Sequence, residues 1–465
     1  MTGARVPAGV RGAARRIVPH TRTAWACFAG GAALVLVAAL VVHWWPGTAY
    51  PAMRADCHRS ELFVAGGTDV SLKNQRRALI RQWNNERYPD GRPHPHATMV
   101  EVSDSTDLQH SQIKAVEESH GCAYDVLITD NTWTAEFADA GYLRPLDRID
   151  DLDDFFPAAL KTGSRHGTQY AVPFNVDVGL LYYAAGVTPP TAWPEMLDSG
   201  VTLQLADREV LTVNALEAVW NDGGGSHLVL TGEDRPSKKD LREKVYPALE
   251  RLAPYARGSL KPSRQYEEQE SIEAFAGGAR LMRNWPYAFS ALASEPRMRT
   301  GSALRFGVTA LPGHDVLGGQ NLAVSRYSPN PEGAADLVAF LSGTSSQRLL
   351  FSCGGFAPAR YSALGLSPGH SGPADVKAQT CSTLTGQQLG PGEADLPDQA
   401  QLTRLGQAIV TALARARPRP VTPHYSTFTS TFRGCVQKIF DNAGTDADAF
   451  AEAVDRSLDG RSASC

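Results

Sequence analysis

Asp69 and Asp177 are the first residues in this chain whose type and setting suggest chemistry. Asp69 follows a short apolar run and two glycines. Asp177 follows Asn175 at the end of an apolar stretch interrupted by Pro173. Two carboxylates placed across one sugar bond would hydrolyse it, but the same pair can simply accept hydrogen bonds from hydroxyls, which needs no catalysis. Adjacent acids recur at Asp153-Asp154 and Glu267-Glu268, on segments that read as solvated surface. His94 and His96 flank Pro95 in a turn and bring no further metal ligand with them. Gly66-Gly67 and Gly223-Gly224-Gly225 lack the lysine and hydroxyl spacing of a phosphate loop. No catalytic constellation stands out, so the expectation is a protein that is not an enzyme and uses no cofactor or metal.

The chain has 465 residues, 43% hydrophobic and 20% charged, enough to bury more than one core. Its net charge of -4 excludes a general nucleic-acid binder, which needs a basic face. Arg5, Arg11, Arg15, Arg16 and Arg22 precede an apolar run that extends through Trp44 and Trp45. At about 1.5 Å per residue, roughly 20 such residues cross a ~30 Å hydrocarbon layer, and the arginines stay on the cytoplasmic side. The reading is a basic cytoplasmic tail over 1–23, a transmembrane signal anchor over 24–45, a tether over 46–56, and an extracytoplasmic remainder. A cleaved signal, using Gly47 and Ala49, is the second reading. Lipidation fits poorly, because Arg54, Ala55 and Asp56 precede Cys57.

Beyond the apolar run lie Cys57, Cys122, Cys353, Cys381, Cys435 and Cys465, an even set with no Cys-x-x-Cys pair. Export and even number predict disulfides rather than zinc or thioredoxin-type chemistry. Six cysteines permit 15 connectivities; the preferred pairing is Cys57–Cys122, joining the entrances of two neighbouring strands, Cys353–Cys381, and Cys435–Cys465, tying down the chain end, and the alternative is that one or two are unpaired buried thiols.

These residues need elements to position them. Apolar runs over 61–65, 97–102 and 124–129 read as strands, separated by helical patterns after Ser71 and over 106–119. Strand and helix alternation predicts a parallel, doubly wound sheet, whose ligands bind beyond the carboxyl ends of strands. Residues 167–183, with Pro173 and then Asn175 and Asp177, read as a crossing between lobes or as an edge strand with a polar bulge. Later helices are expected over 211–220, 239–252, 267–275, 331–341, 401–414, 428–441 and 446–458. Strands are expected over 306–311 and 318–324. Asn284-Trp285-Pro286-Tyr287 reads as an aromatic loop, and 364–397, rich in Gly, Pro and Ser, as an irregular excursion.

Several strings in this order resemble extracytoplasmic solute-binding proteins of the sugar-transport type, the group that contains maltose-binding protein. They include Tyr124-Asp-Val-Leu-Ile, Gly141-Tyr-Leu-Arg-Pro-Leu, Tyr170-Ala-Val-Pro-Phe, Leu180-Leu-Tyr-Tyr, Ala274-Phe-Ala-Gly-Gly, Asn284-Trp-Pro and Arg419-Pro-Val-Thr-Pro-His-Tyr. The resemblance implies an α/β, two-lobe periplasmic-binding-protein type II fold with a hinge and an inter-lobe cleft, preceded here by one N-terminal transmembrane helix. It implies lobe 1 over 57–174 and 320–358, and lobe 2 over 175–319 and 359–465. Position by position, it implies ligand contacts at Gly67, Thr68, Asp69, Asp130, Asn131, Trp133, Asn175, Asp177, Tyr182, Trp285, Tyr287, Gly319, Gln320 and Tyr425. Residues 184–188 are shorter than the family's usual segment and lack its charged residue. The implied function is a membrane-tethered receptor for a mono- or oligosaccharide that passes its ligand to an ABC permease. A surface sensor or interaction module with the same fold and a degenerate cleft is the alternative.

Overall fold

The computed structural model describes residues 57–465 except 73, 104, 225–227, 370–373, 377–380 and 382–395. The expected tail, anchor and tether lie outside the described residues, as does most of the 364–397 excursion. Among the described residues no helix is long and apolar enough to cross a membrane.

In chain order the principal elements begin with β1 (Leu62–Gly66), α1 (Gln75–Asn85), β2 (Ala97–Glu101), α2 (Thr106–Glu118) and β3 (Val126–Asp130). Then come β4 (Ala171–Asp177), β5 (Leu180–Ala184), α3 (Glu209–Asn221), α4 (Tyr246–Arg257), α5 (Glu268–Ala276), β6 (Leu281–Asn284) and α6 (Tyr287–Ser294). The chain continues through β7 (Phe306–Ala310), β8 (Val316–Val324), α7 (Pro331–Ser342), α8 (Gln399–Leu413), β9 (Arg417–Pro418), α9 (Tyr425–Asp441) and α10 (Ala447–Leu458).

The larger sheet runs β9-β8-β3-β1-β2, with β4 also on β8. β1 is parallel to both β2 and β3, as alternation with helices requires. The all-parallel expectation is corrected beyond β3, because β8 returns antiparallel to both β3 and β4. The expected crossing after Pro173 therefore lies beside a second strand: Asp177 faces Gly318, Val176 faces Gly319 and Asn175 faces Gln320, with a bulge after Gln320. Val176 also donates its N–H to Ala357 O at 3.0 Å, so three chain segments run side by side here. Gly319 is required at this point. Its φ is +115°, and a Cβ would lie 2.4 Å from Asn175 O.

The smaller sheet is β7-β5-β6, antiparallel throughout. Side chains along β5 alternate between two cores. Leu180 and Tyr182 join the cluster that includes β1, β3 and α7, whereas Leu181 joins the one formed with α3, α4, α9 and α10. The helix expected over 239–252 runs on to Arg257, interrupted by a wide turn over Leu241–Val245 just before Pro247, which has no N–H to donate. The expected aromatic loop is corrected to a two-residue turn, since Asn284 closes β6 and Tyr287 opens α6. Asp154, expected on a solvated face, instead accepts from Ser362 Oγ at 2.5 Å and pairs with Arg360. Ser71 accepts the Gln75 N–H at 2.7 Å as a cap, but Leu72 precedes α1 and is only half-buried.

The three disulfides are Cys57–Cys122, Cys353–Cys381 and Cys435–Cys465, the expected set. The first closes 65 residues at the entrances of β1 and β3. There Arg59 also bonds Cys122 O at 2.6 Å and Asp125 Oδ2 at 2.7 Å. Replacing Cys57 and Cys122 together by serine is expected to cost about 2–4 kcal/mol, because the unfolded chain regains loop freedom. An unchanged urea midpoint would contradict this.

A second expectation concerns pH. Glu117, fully buried near the end of α2, accepts from Ser325 Oγ at 2.8 Å, and its Oε1 has no partner. Burial pushes its carboxyl up to about 8, against the opposing Ser325 hydrogen bond. The unfolded chain therefore loses this proton first, and stability falls as pH rises from about 4.5 to about 8. Glu117→Gln should remove that part of the slope, read from urea unfolding at pH 5 and pH 8 (roughly the ends of the window).

Candidate functional site

The ends of β1, β3 and β4, the first half of β8 and the starts of α2, α3 and α5 converge on one cavity of about 250 Å³. Part of the lining comes from Gly67, Thr68 and Val70 after β1, Arg76 of α1, Thr106 and Asp107 of α2, and Asp130. The rest of the lining carries Asp177, Glu209, Glu268, Trp285, Tyr287, Gly318 to Gln320, and Arg419. Glu209 and Glu268 sit in the first turns of their helices, where the N-terminal dipole favours a negative charge. A more open hollow of about 640 Å³ continues the cavity along Val70, Ser105, Arg208, Glu267, Glu268 and Tyr287.

Trp285 is held from several sides. Asn284, fully buried, bonds Glu268 O at 3.1 Å and Ser271 Oγ at 2.9 Å, and its Oδ1 accepts the Trp285 N–H. The indole N–H donates to Glu268 Oε1 at 3.0 Å. Beneath the ring lies the Arg283 guanidinium, 3.7 Å from the centroid, fixed in turn by a buried fork onto Glu217. An aromatic fixed this way offers an apolar face with little rotamer entropy left to lose.

Arg419 closes the far end. Its guanidinium donates to Asp130 at 2.8 and 3.1 Å, Asn131 Oδ1 at 2.9 Å and Glu209 Oε1 at 2.9 Å. Tyr425 also donates its hydroxyl to Glu209, and Thr429 does so at 2.7 Å. Burial acts to lower the Arg419 pKa, but the charges of Asp130, Tyr425 and Glu209 outweigh it and hold the group well above its ordinary value. Arg76 donates to Gln320 Oε1 at 2.5 Å and lies over the Phe356 ring.

Asp177 differs from these. Its Oδ2 accepts from Asn175 Nδ2 at 3.2 Å, while Oδ1 is sequestered without a partner. Burial pushes the carboxyl up to about 7, opposed by Arg76 and Asn175 and reinforced by Asp130 and Glu268.

Of the residues singled out in the sequence, Gly67, Thr68, Asp130, Asp177, Trp285, Tyr287, Gly319 and Gln320 line this cavity together. The others are placed elsewhere. Asp69 accepts from Ser71 and, at 3.3 Å, from the Arg77 N–H, so it organises the turn into α1. Asn131 bonds Leu317 O and Arg419. Trp133 is buried against His110 and Phe137. Asn175 is buried behind Asp177. Tyr182 is wholly buried, donating to Trp285 O at 2.8 Å, in the same core as Leu180. Tyr425 is buried against Glu209.

Arg76, Glu209 and Arg419 were not anticipated, although Arg419 opens one of the strings that carry the resemblance. Glu268, read as solvated surface, is corrected to a cavity residue because it begins α5 beneath Trp285. His94 stacks on Trp83 with centroids 3.8 Å apart. Among the described residues no cluster of three or more potential metal ligands assembles.

An α/β body with paired crossing strands and a polar cavity walled partly by aromatics has the build of a solute-binding protein. Residues 86–348, more than half the chain, match the family of bacterial extracellular solute-binding proteins, and the chain belongs to that family. It is 31% identical over 226 residues to a probable ABC transporter-binding protein of Deinococcus radiodurans, covering 42% of this chain and 52% of the relative. It is 26% identical over 250 residues to a maltotriose-binding protein of Pyrococcus abyssi, covering 51% of each. The chain thus spans about half the length of the curated relatives it matches. Among solved structures, maltose-bound MalE3 of T. maritima superposes with a TM-score of 0.68 at 20% identity, covering 86% of this chain and 99% of the other. That likeness establishes the two-lobe α/β fold.

Proposed function

We propose that this chain is a membrane-tethered extracytoplasmic solute-binding protein that takes a carbohydrate into the cleft and delivers it to an ABC permease. The observation that carries the reading is the pairing of a fixed aromatic wall, Trp285 and Tyr287, with hydrogen-bonding carboxylates, Asp177 and Glu268. Aromatic faces cover the apolar side of a pyranose ring, and carboxylates accept from its hydroxyls. The adjoining hollow gives the cleft length for more than one sugar ring. The lobes are taken as 57–174 with 320–358, and 175–319 with 359–465, hinged at Asn175–Asp177, Gly318–Gln320 and the segment around Ala357. Ligand touching both walls would favour closure. The apolar run over 24–45 is the anchor of a single-pass protein whose bulk is extracytoplasmic. The chain binds its solute and does not transform it.

The test is a thermal-shift screen of the purified protein against mono- and oligosaccharides, with chromatography of the bound sugar. At saturating ligand, a sugar at 100 times its Kd stabilises by about 2.7 kcal/mol, which shows as a rise in Tm of several degrees. No shift with any saccharide favours the sensor reading, and conversion of the sugar would favour an enzyme.

A further inference from the structure

The cavity wall carries more negative than positive side chains, six carboxylates to three guanidinium groups. Most of these charges are already compensated. Arg419 is committed to Asp130 and Glu209, and Asp107 is bonded by Arg433 at 3.0 Å. Glu209 and Glu268 also gain from their helix N-termini. Asp177 has none of these supports. It ends a strand rather than starting a helix, and among the described residues it has no ion-pair partner. Arg76 acts on it electrostatically, but its hydrogen bond goes to Gln320 and its face lies over Phe356. The sequestered Oδ1 is therefore left without a hydrogen-bond donor, and the one nearby cation, Arg76, acts on the carboxyl only through space.

Building on the reading of the chain as a saccharide receptor, we propose that its solute is a sugar bearing a protonated amine, with the ammonium seated on Asp177 beside Glu268 and Trp285. A hydroxyl would give Oδ1 a hydrogen bond but no bonded cation. An ammonium supplies donors and countercharge together, and charge-assisted hydrogen bonds are about twice as strong as neutral ones. The indole adds an aromatic surface next to the cation. Asp130 also lines the cavity, but Arg419 already occupies it, so Asp177 is the lining carboxylate with a sequestered oxygen left unbonded.

Calorimetry on the purified full-length chain tests this with three matched series: glucosamine oligosaccharides, their N-acetylated counterparts, and maltooligosaccharides. The amine series should bind at least about tenfold tighter than either neutral series, with a preference that weakens as salt is raised. Asp177→Asn should abolish the preference, and Glu268→Gln should reduce it while leaving the fold measurable by circular dichroism. Neutral sugars binding as well as the amine series would overturn the proposal and leave the saccharide reading standing. A preference that survives both substitutions would also overturn it. Binding to none of the three series would sink the saccharide reading and the proposal together.

Discussion

Replacing Arg419 by alanine is expected to cost about 3 kcal/mol of folding stability, one of the two largest effects anticipated for a single change in this protein. The guanidinium is 3% exposed and satisfies carboxylates from two distant parts of the chain, Asp130 at the end of β3 and Glu209 at the start of α3. Removing it leaves Glu209 buried without its cation, while Tyr425 and Thr429 still hold that carboxylate in place. Burial already holds the Glu209 carboxyl above its ordinary value, with Arg419 opposing the shift. The alanine variant should therefore take up a proton at Glu209 more readily, and its deficit should shrink in acid. Asp130 is 21% exposed on its side chain and recovers some hydration, which keeps the estimate at the low end of the range for broken buried pairs. Arg419→Lys retains the charge but cannot fork between Asp130, Asn131 and Glu209, so it should fall between the two. Urea midpoints of the three proteins check this, and an unchanged midpoint for the alanine variant would sink it.

Trp285→Ala is expected to weaken saccharide binding by about 2–3 kcal/mol, roughly 30- to 150-fold in Kd. The substitution removes the stacking face and also releases Glu268, whose Oε1 loses the indole N–H. The Arg283–Glu217 fork below the ring is left intact, so the core of this half should hold. Trp285→Phe keeps an apolar face without the donor and should retain most of the affinity. Calorimetry with the tightest-binding sugar separates these cases. Equal affinity for the native and alanine proteins would show that the ring does not meet the ligand.

The alternation of apolar runs with helical periodicity made β1, α1, β2, α2 and β3 readable before any coordinates, because each element buries one contiguous local pattern. Cysteine placement was equally legible. A pair at the entrances of two adjacent parallel strands and a pair at the chain end follow from the order of elements. The local string at 284–287 marked Trp285, since a tryptophan before proline at a strand end has few ways to be buried.

The charge partners were not legible in the same way. Arg419 meets Asp130 across 289 positions of sequence, and β8 selects both β3 and β4 as neighbours only once the chain has returned to the sheet. Tyr182 and Trp285 look alike as aromatics near a crossing, yet strand parity sends one into the core and a helix start turns the other to the cavity. The sequence by itself determined the order of the elements from β1 to β3, because these follow from local pattern, and its strings carried the resemblance to the family that the chain belongs to. Only the tertiary structure decided which carboxylates are ion-paired and that Asp177 keeps an unbonded oxygen, because electrostatic compensation depends on distances between residues that the chain order leaves far apart.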